Sequence, residues 1–338
     1  MKKITIKEVA KKAGVSTATV SRVLNNNYPV SDEARERVYT VIKELNYSPN
    51  AIARSLKNNK TNLIGFVVGD ISNPYFMKIA RVIEDDMRAR GYNIIMAVTH
   101  EDEELEKKLL KVLFEKRVDS VVIAPSGNNI EELLNFINSG VNVIAIDRKV
   151  EGLNIDTVIE DNFDAAYDLT ELLIKSGHKK IAIVNGRLDV TTGAERSKGF
   201  KSAMNNNNIP IKDEYLLYGN FDEEKAYFEV KKLLMKENVE KPTAIFATNN
   251  KMAEGAMVAI QELGYKIPED ISMVSYGELS APELVEPRLT VVQQDAYAIG
   301  RKVSNILIEK AENEVNNKNF KEYILCPKIY LGESIKRI

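Results

Sequence analysis

The sequence predicts an all-α head of three helices followed by an α/β body of two lobes, each built on a parallel sheet. Three observations predict it. The first 60 residues hold 12 Lys or Arg against 5 Asp or Glu, a net of +7, while the whole chain carries −2, so the remainder carries −9. Short amphipathic helical patterns fill that basic stretch. From residue 63 onward, short β-rich runs alternate with longer helical ones. At 338 residues the chain is too long for one ordinary core and suits two or three domains. A basic head on an acidic body is the electrostatic footprint expected when the head alone meets phosphate.

Within the head, Ile6, Val9, Ala10 and Ala13 recur at i, i+3, i+4 and i+7, so residues 5–13 read as a short helix with one apolar stripe. Gly14 closes it in a left-handed conformation, and Ser16 caps a second helix running to about Asn25. Val20, Val23 and Leu24 form the buried side of that second helix. Thr17, Ala18, Ser21 and Arg22 then face outward at its N-terminal end, and these small, hydroxylic or bidentate side chains suit base edges and phosphates in a major groove. Residues 25–30 read as a polar loop. Ser31, Asp32 and Glu33 open a third helix with Val38, Val41, Ile42 and Leu45 on its apolar side. Ser48-Pro49 breaks it, because the residue before a proline is pushed out of helical geometry. Residues 50–57 have helical propensity and two basic side chains, but about eight residues are too few for an isolated helix in water.

From Thr5 to Phe76 the sequence (TIKEVAKKAGVSTATVSRVLN through VVGDISNPYF) resembles the LacI/GalR repressor family almost position by position. The resemblance implies that Thr17, Ala18 and Arg22 read bases, and that Thr5, Ser16, Thr19, Ser21, Asn25, Ser31, Tyr47 and Asn50 contact phosphate. It also implies that the short segment is a hinge helix ordered on operator DNA. There Ala53 and Lys57 meet DNA and Leu56 enters the minor groove as a wedge, kinking an operator of two inverted half-sites bound by a homodimer. The expected division is a helix-turn-helix domain at 1–48, a hinge at 49–60 and an effector-binding and dimerisation domain at 61–338.

In the body, residues 63–68, 93–98, 120–124 and 141–146 read as buried parallel strands, with helices near 75–90, 103–116 and 130–139. A second array places strands at 180–184, 215–218, 244–247 and 271–274, with helices near 162–176, 194–206, 222–237 and 251–263. Two such arrays mean two lobes. Open sheets of this kind bind ligands at the carboxyl ends of their strands, so two facing lobes share one cleft. The resemblance implies a periplasmic-binding-protein-like fold of two Rossmann-like subdomains. Its first lobe is expected at about 61–161 and 291–321, and its second at about 162–290 and 322–338.

Candidate effector residues sit where strands end. Asn73 is a natural N-cap with Pro74 at the first helical position, and Tyr75 and Phe76 follow. Arg148 closes the fourth strand, Thr192 and Arg196 follow IAIVNG, and Asn249 follows AIFAT. The resemblance implies that Arg196 and Asn249 bond effector hydroxyls, that Phe76 stacks on the ligand and that Arg148 and Gln294 border the site. One departure stands out: where relatives carry an aspartate, this chain has Gly277. Without that acid, Arg148, Arg187 and Arg196 suggest an anionic effector such as an acidic sugar, held by forked hydrogen bonds, unless Glu278 rotates in.

Other functions find little footing. No phosphate loop, dinucleotide fingerprint or nucleophile elbow occurs, so no catalytic residue and no cofactor is expected. His100 and His178 show no metal spacing, and His178 is expected at a helix end, where a cation suits the dipole. The single Cys326, the lack of an 18-residue apolar window and the polar start at Lys2 and Lys3 point to a cytoplasmic protein with no membrane partner. SGHKKIAIV and KPTAIFATN are also similar to the catabolite-control branch of the family. That branch offers the alternative of a phosphorylated phosphocarrier protein, HPr, as corepressor.

Overall fold

The computed structural model describes residues 4–25, 29–47, 60–312 and 320–338. The chain divides into two compact units, 1–61 and 62–338.

The first unit contains α1 (Ile6–Ala13), α2 (Thr17–Asn25) and α3 (Asp32–Glu44). Local chemistry sets each boundary. Thr5 and Glu8 form a reciprocal capping box, with the Thr5 amide donating to Glu8 Oε2 at 2.7 Å. Gly14 ends α1 at φ +64°, where only glycine is unstrained. Ser16 Oγ then accepts from the Thr19 amide at 3.0 Å to start α2. Val9, Ala10, Ala13, Val20, Val23, Val38 and Val41 make the core, with Ile42 and Leu45 packed against it.

The second unit holds two sheets. The first is formed by β1 (Leu63–Val68), β2 (Asn93–Val98), β3 (Ser120–Ile123), β4 (Asn142–Ile146), β5 (Asp156–Glu160) and, late in the chain, β11 (Glu322–Leu325), in the order β11-β5-β4-β3-β1-β2. Around it run α4 (Pro74–Arg88), α5 (Glu103–Glu115) and α6 (Ile130–Asn138). The second sheet contains β6 (Ile181–Asn185), β7 (Leu216–Tyr218), β8 (Ala244–Ala247), β9 (Ser272–Tyr276), β10 (Thr290–Gln293) and β12 (Lys328–Tyr330), in the order β12-β10-β9-β8-β6-β7. Its helices are α7 (Asn162–Lys175), α8 (Thr191–Asn206), α9 (Glu223–Met235) and α10 (Asn250–Glu262), and α11 (Ala296–Glu312) returns to the first lobe beside α4. Pairing is parallel throughout except between β10 and β12.

Both sheets are buried on two faces, which is why their strands read as continuous apolar runs. In β1, Ile64, Phe66 and Val68 face α4 and α11, while Val67 faces the α5 and α6 side. In the second lobe, Ala182 and Val184 join the α9 and α10 side, and Ile181 and Ile183 join the α7 and α8 side.

The chain crosses between lobes after β5, after β10 and after β11. Two expected boundaries therefore move. Residues 291–293, assigned to the first lobe, pair with β9 in the second sheet, and residues 322–325, assigned to the second lobe, pair with β5 in the first. Apolar patterning marks a strand, but its hydrogen-bond partner decides the lobe. His178 does lie at the end of α7, its amide donating to the Leu173 carbonyl at 3.1 Å, but the cationic role expected there is corrected. Its ring is buried between Thr243 Oγ1 at 2.9 Å and the Lys336 carbonyl at 3.0 Å, and burial lowers its pKa, so it anchors the C-terminal segment as a neutral group. Among the described residues no helix is long and apolar enough to cross a membrane.

Candidate functional site

The head exposes the side chains a groove reader needs. Thr17, Ala18 and Arg22 are exposed on α2, with Thr19 and Ser21 half-buried beside them. Thr5 and Ser16 are exposed but also serve as caps, and Ser16 Oγ lies 2.9 Å from Thr19 Oγ1. Ser31 precedes α3 without a side-chain capping bond, which leaves its hydroxyl at the surface, and Tyr47 is half-buried. The Asn25 side chain and all of Asn50, Ala53, Leu56 and Lys57 lie outside the described residues.

In the body, a cleft opens at the carboxyl ends of both sheets. Asp70, Asn73, Tyr75, Phe76, Glu101, Asp147 and Arg148 line it from the first lobe; Thr192, Arg196, Phe221, Asn249, Asn250 and Lys251 line it from the second, with Gln294 at a crossing. The expected residues thus come together, with Gly277 against Gln294 at the edge. The cavity measures about 50 Å³, small against the roughly 300–1,000 Å³ of ligand pockets.

Each arginine already has partners. Arg148 forks onto Glu101 at 2.7 and 2.9 Å, donates to the Pro125 carbonyl at 2.9 Å and lies 5.1 Å from the centre of the Phe221 ring. Arg187 forks onto Asp189. Arg196 is buried, donating to Asn162 Oδ1 and to the Thr248 carbonyl, both at 2.8 Å, with its guanidinium 3.6 Å above the Tyr276 ring. The forks that suggested an anionic effector are occupied by the protein's own groups.

Asparagines set the rim. Asn73 caps α4 by accepting from the Tyr75 amide at 3.1 Å, and Asn249 caps α10 by accepting from the Met252 amide at 2.8 Å. Asn249 therefore spends its carbonyl on the helix. Gly277 sits at φ +90°, and a Cβ there would stand 3.0 Å from Gln294 Oε1. That backbone disfavours an aspartate at this position. Glu278 does not replace it, because it accepts from Gln293 Nε2 at 2.9 Å and faces Lys78 at 3.7 Å.

The acids of the cleft lie elsewhere. Asp147, at φ +62°, is buried, and burial raises its pKa. Glu160 ends β5, accepts from Gln294 Nε2 at 2.8 Å and from the Asp295 amide at 2.9 Å, and is pushed up to about 7 by burial, with Asp147 adding to the shift. Thr192 Oγ1, Tyr75 Oη and Tyr276 Oη are buried without a protein partner at hydrogen-bond geometry; the tyrosine hydroxyls lie near Asp147 and Arg196 respectively. Buried polar groups left this way are candidates for ligand contact.

Residues 5–50 match the family model described as "Bacterial regulatory proteins, lacI family", and residues 61–327 match "Periplasmic binding proteins and sugar binding domain of LacI family". The chain belongs to the LacI family. An HTH-type transcriptional repressor PurR of Haemophilus influenzae is 37% identical over 338 residues, covering 99% of each chain. Among solved structures, a lac repressor dimer bound to operator and the anti-inducer ONPF is similar with a TM-score of 0.82 and 26% identity, over 99% of this chain and 100% of that one. A LacI family regulator from Enterococcus faecium with bound ribose has a TM-score of 0.72 and 28% identity, over 82% of this chain and 99% of that one. This LacI-family chain is a transcriptional repressor and not an enzyme. None of these descriptions mentions a phosphocarrier protein.

Asp147 and Asn250, which follow strand ends in the sequence, line the cleft with their neighbours Arg148 and Asn249, whereas Glu101, Phe221 and Lys251 in the lining and Glu160 behind it were not anticipated. Phe221 had a signal in its position just after the run 215–218, since cleft residues follow strand ends. In the structure it takes φ +65°, and its ring fills the space a Cβ on Gly186 would need, 2.1 Å away.

Proposed function

We propose that this repressor binds an operator of inverted half-sites as a homodimer in the cytoplasm, under control of a neutral, polar small molecule in the interlobe cleft. The head at 1–48 reads the major groove, with Thr17, Ala18 and Arg22 on base edges and Thr5, Ser16, Thr19, Ser21, Ser31 and Tyr47 toward phosphates. The segment 49–60 joins it to the effector domain at 61–338 as a hinge. A single head offers a small interface, and half-site symmetry mirrors protein symmetry, which favours a dimer.

The observation that carries the effector reading is the pairing of the cleft arginine Arg148 with Glu101, beside the lining hydroxyls of Thr192 and Tyr75, which have no protein partner at hydrogen-bond geometry. A neutral molecule bearing hydroxyl or N–H groups answers those hydroxyls and the Asp147 carboxylate without displacing an ion pair. Phe76 and Phe221 supply apolar faces. The sugar-binding description of the matched family agrees with such a ligand.

The test is selection of bound duplexes from random DNA, with and without a panel of neutral and acidic small molecules. Enrichment of an inverted repeat, altered by a neutral compound, supports the reading. Response confined to acidic compounds rejects the neutral effector, and absence of enrichment rejects the DNA reading.

A further inference from the structure

Glu101 is held in an unusual way. It follows His100, and the two residues stand consecutively at φ +52° and +58°, a conformation that costs non-glycine residues free energy and persists only when the surroundings hold it. Two grips hold this turn. From its own lobe, Arg148 forks the Glu101 carboxylate. From the opposite lobe, Arg187 Nη1 donates to the Glu101 carbonyl at 2.5 Å and lies 3.7 Å from its Oε2. Space for the carboxylate comes from Gly69, where a Cβ would lie 2.1 Å from Glu101 Oε1. Arg187 is itself fixed by its fork onto Asp189, so the donor that crosses the cleft is oriented in advance.

We infer that the Arg187–Glu101 contact is a latch between the lobes, and that its strength sets how often the cleft opens before any effector arrives. The contact is charge-assisted, involves Glu101 from the lining of the small interlobe cavity and joins groups anchored separately in each lobe. Among the described residues the lobes are also joined by the neutral Asn73–Asn250 amide pair and the Lys149 amide donating to Thr191 Oγ1 at 3.1 Å, and by the looser, exposed Lys78–Glu278 ion pair at 3.7 Å. The regulatory meaning of the latch rests on the cleft being the effector site. Apparent affinity there is reduced in proportion to the fraction of molecules that are open, so weakening the latch tightens apparent effector binding.

The test measures lobe separation without effector or DNA. In a full chain with Cys326→Ser, cysteines replace the exposed Lys111 on α5 and Lys232 on α9, and the label-to-label distance distribution is recorded. Wild type is expected to show one dominant short distance. Arg187→Gln is expected to raise the ratio of separated to closed molecules at least tenfold, and Arg187→Lys, which keeps the charge but loses the fork, by an intermediate amount. Circular dichroism verifies folding, and if Arg187→Gln does not fold, Arg187→Lys decides. An unchanged distribution in a folded variant overturns the latch and leaves the DNA reading untouched. Failure of the DNA selection leaves the latch standing.

Discussion

Asn73 and Asn250 exchange two side-chain hydrogen bonds across the cleft, at 3.2 and 3.1 Å, each amide donating to the other's carbonyl oxygen. The pair is not symmetric in duty, because Asn73 Oδ1 also accepts from the Tyr75 amide as the N-cap of α4, whereas the cap of α10 is Asn249. Asn73→Ala is therefore expected to cost about 1 kcal/mol more than Asn250→Ala. Urea unfolding midpoints of the two variants check this, and equal losses would mean that the cap is not stabilising α4.

Glu160 predicts a pH dependence. Its unperturbed value is 4.5 and its folded value is about 7, so the folded chain keeps the proton over a range where the unfolded chain has released it. The stabilisation linked to that proton is complete below about pH 4.5 and is lost as pH rises through about 7. A shift of this size corresponds to about 3 kcal/mol. Glu160→Gln removes the titration, so the stability difference between wild type and variant should move against wild type from pH 5 to pH 8. Parallel stability profiles over that range would show that Glu160 does not titrate there.

Gly277 gives a third expectation. At φ +90° any side chain is strained, and Gly277→Ala should lose about 1–3 kcal/mol. Gly277→Asp should also lose stability, because its Cβ meets the same strained backbone and stands 3.0 Å from Gln294 Oε1. Chemical denaturation of both variants checks the point. A stable Gly277→Asp would indicate that the backbone accommodates the family's acid after all.

How much was legible in the sequence follows from how local the determinants are. Gly14, Ser16 and the apolar stripe of α1 act over a few residues, so α1 and α2 were readable to within a residue, whereas α3, expected to run to the Ser48-Pro49 break, ends at Glu44. The strands β1 to β4 announce themselves as apolar runs. β5, with Asp156 and Glu160 at its ends, and β10, with Thr290 and Gln293, offer only two apolar residues each, and neither was anticipated. Those are the strands at the crossings, and they bring Glu160 and Gln294 together. Glu101 escaped notice for a related reason: its carboxylate is defined by Arg148, 47 positions away in sequence. Charged residues on loops look alike until the fold pairs them, which is why the arginines first suggested an anionic ligand.

The central claim is that α2 of this LacI-family repressor reads DNA sequence. The most direct test is the affinity of the full chain for a duplex enriched by selection against a scrambled duplex at fixed salt, for wild type and Arg22→Ala. Wild type should prefer the selected duplex by about 10³-fold or more. Arg22→Ala should lose about 1–3 kcal/mol on the selected duplex, and with it much of the discrimination. Equal wild-type affinity for both duplexes, or an Arg22→Ala variant that discriminates as well as wild type, would contradict the account.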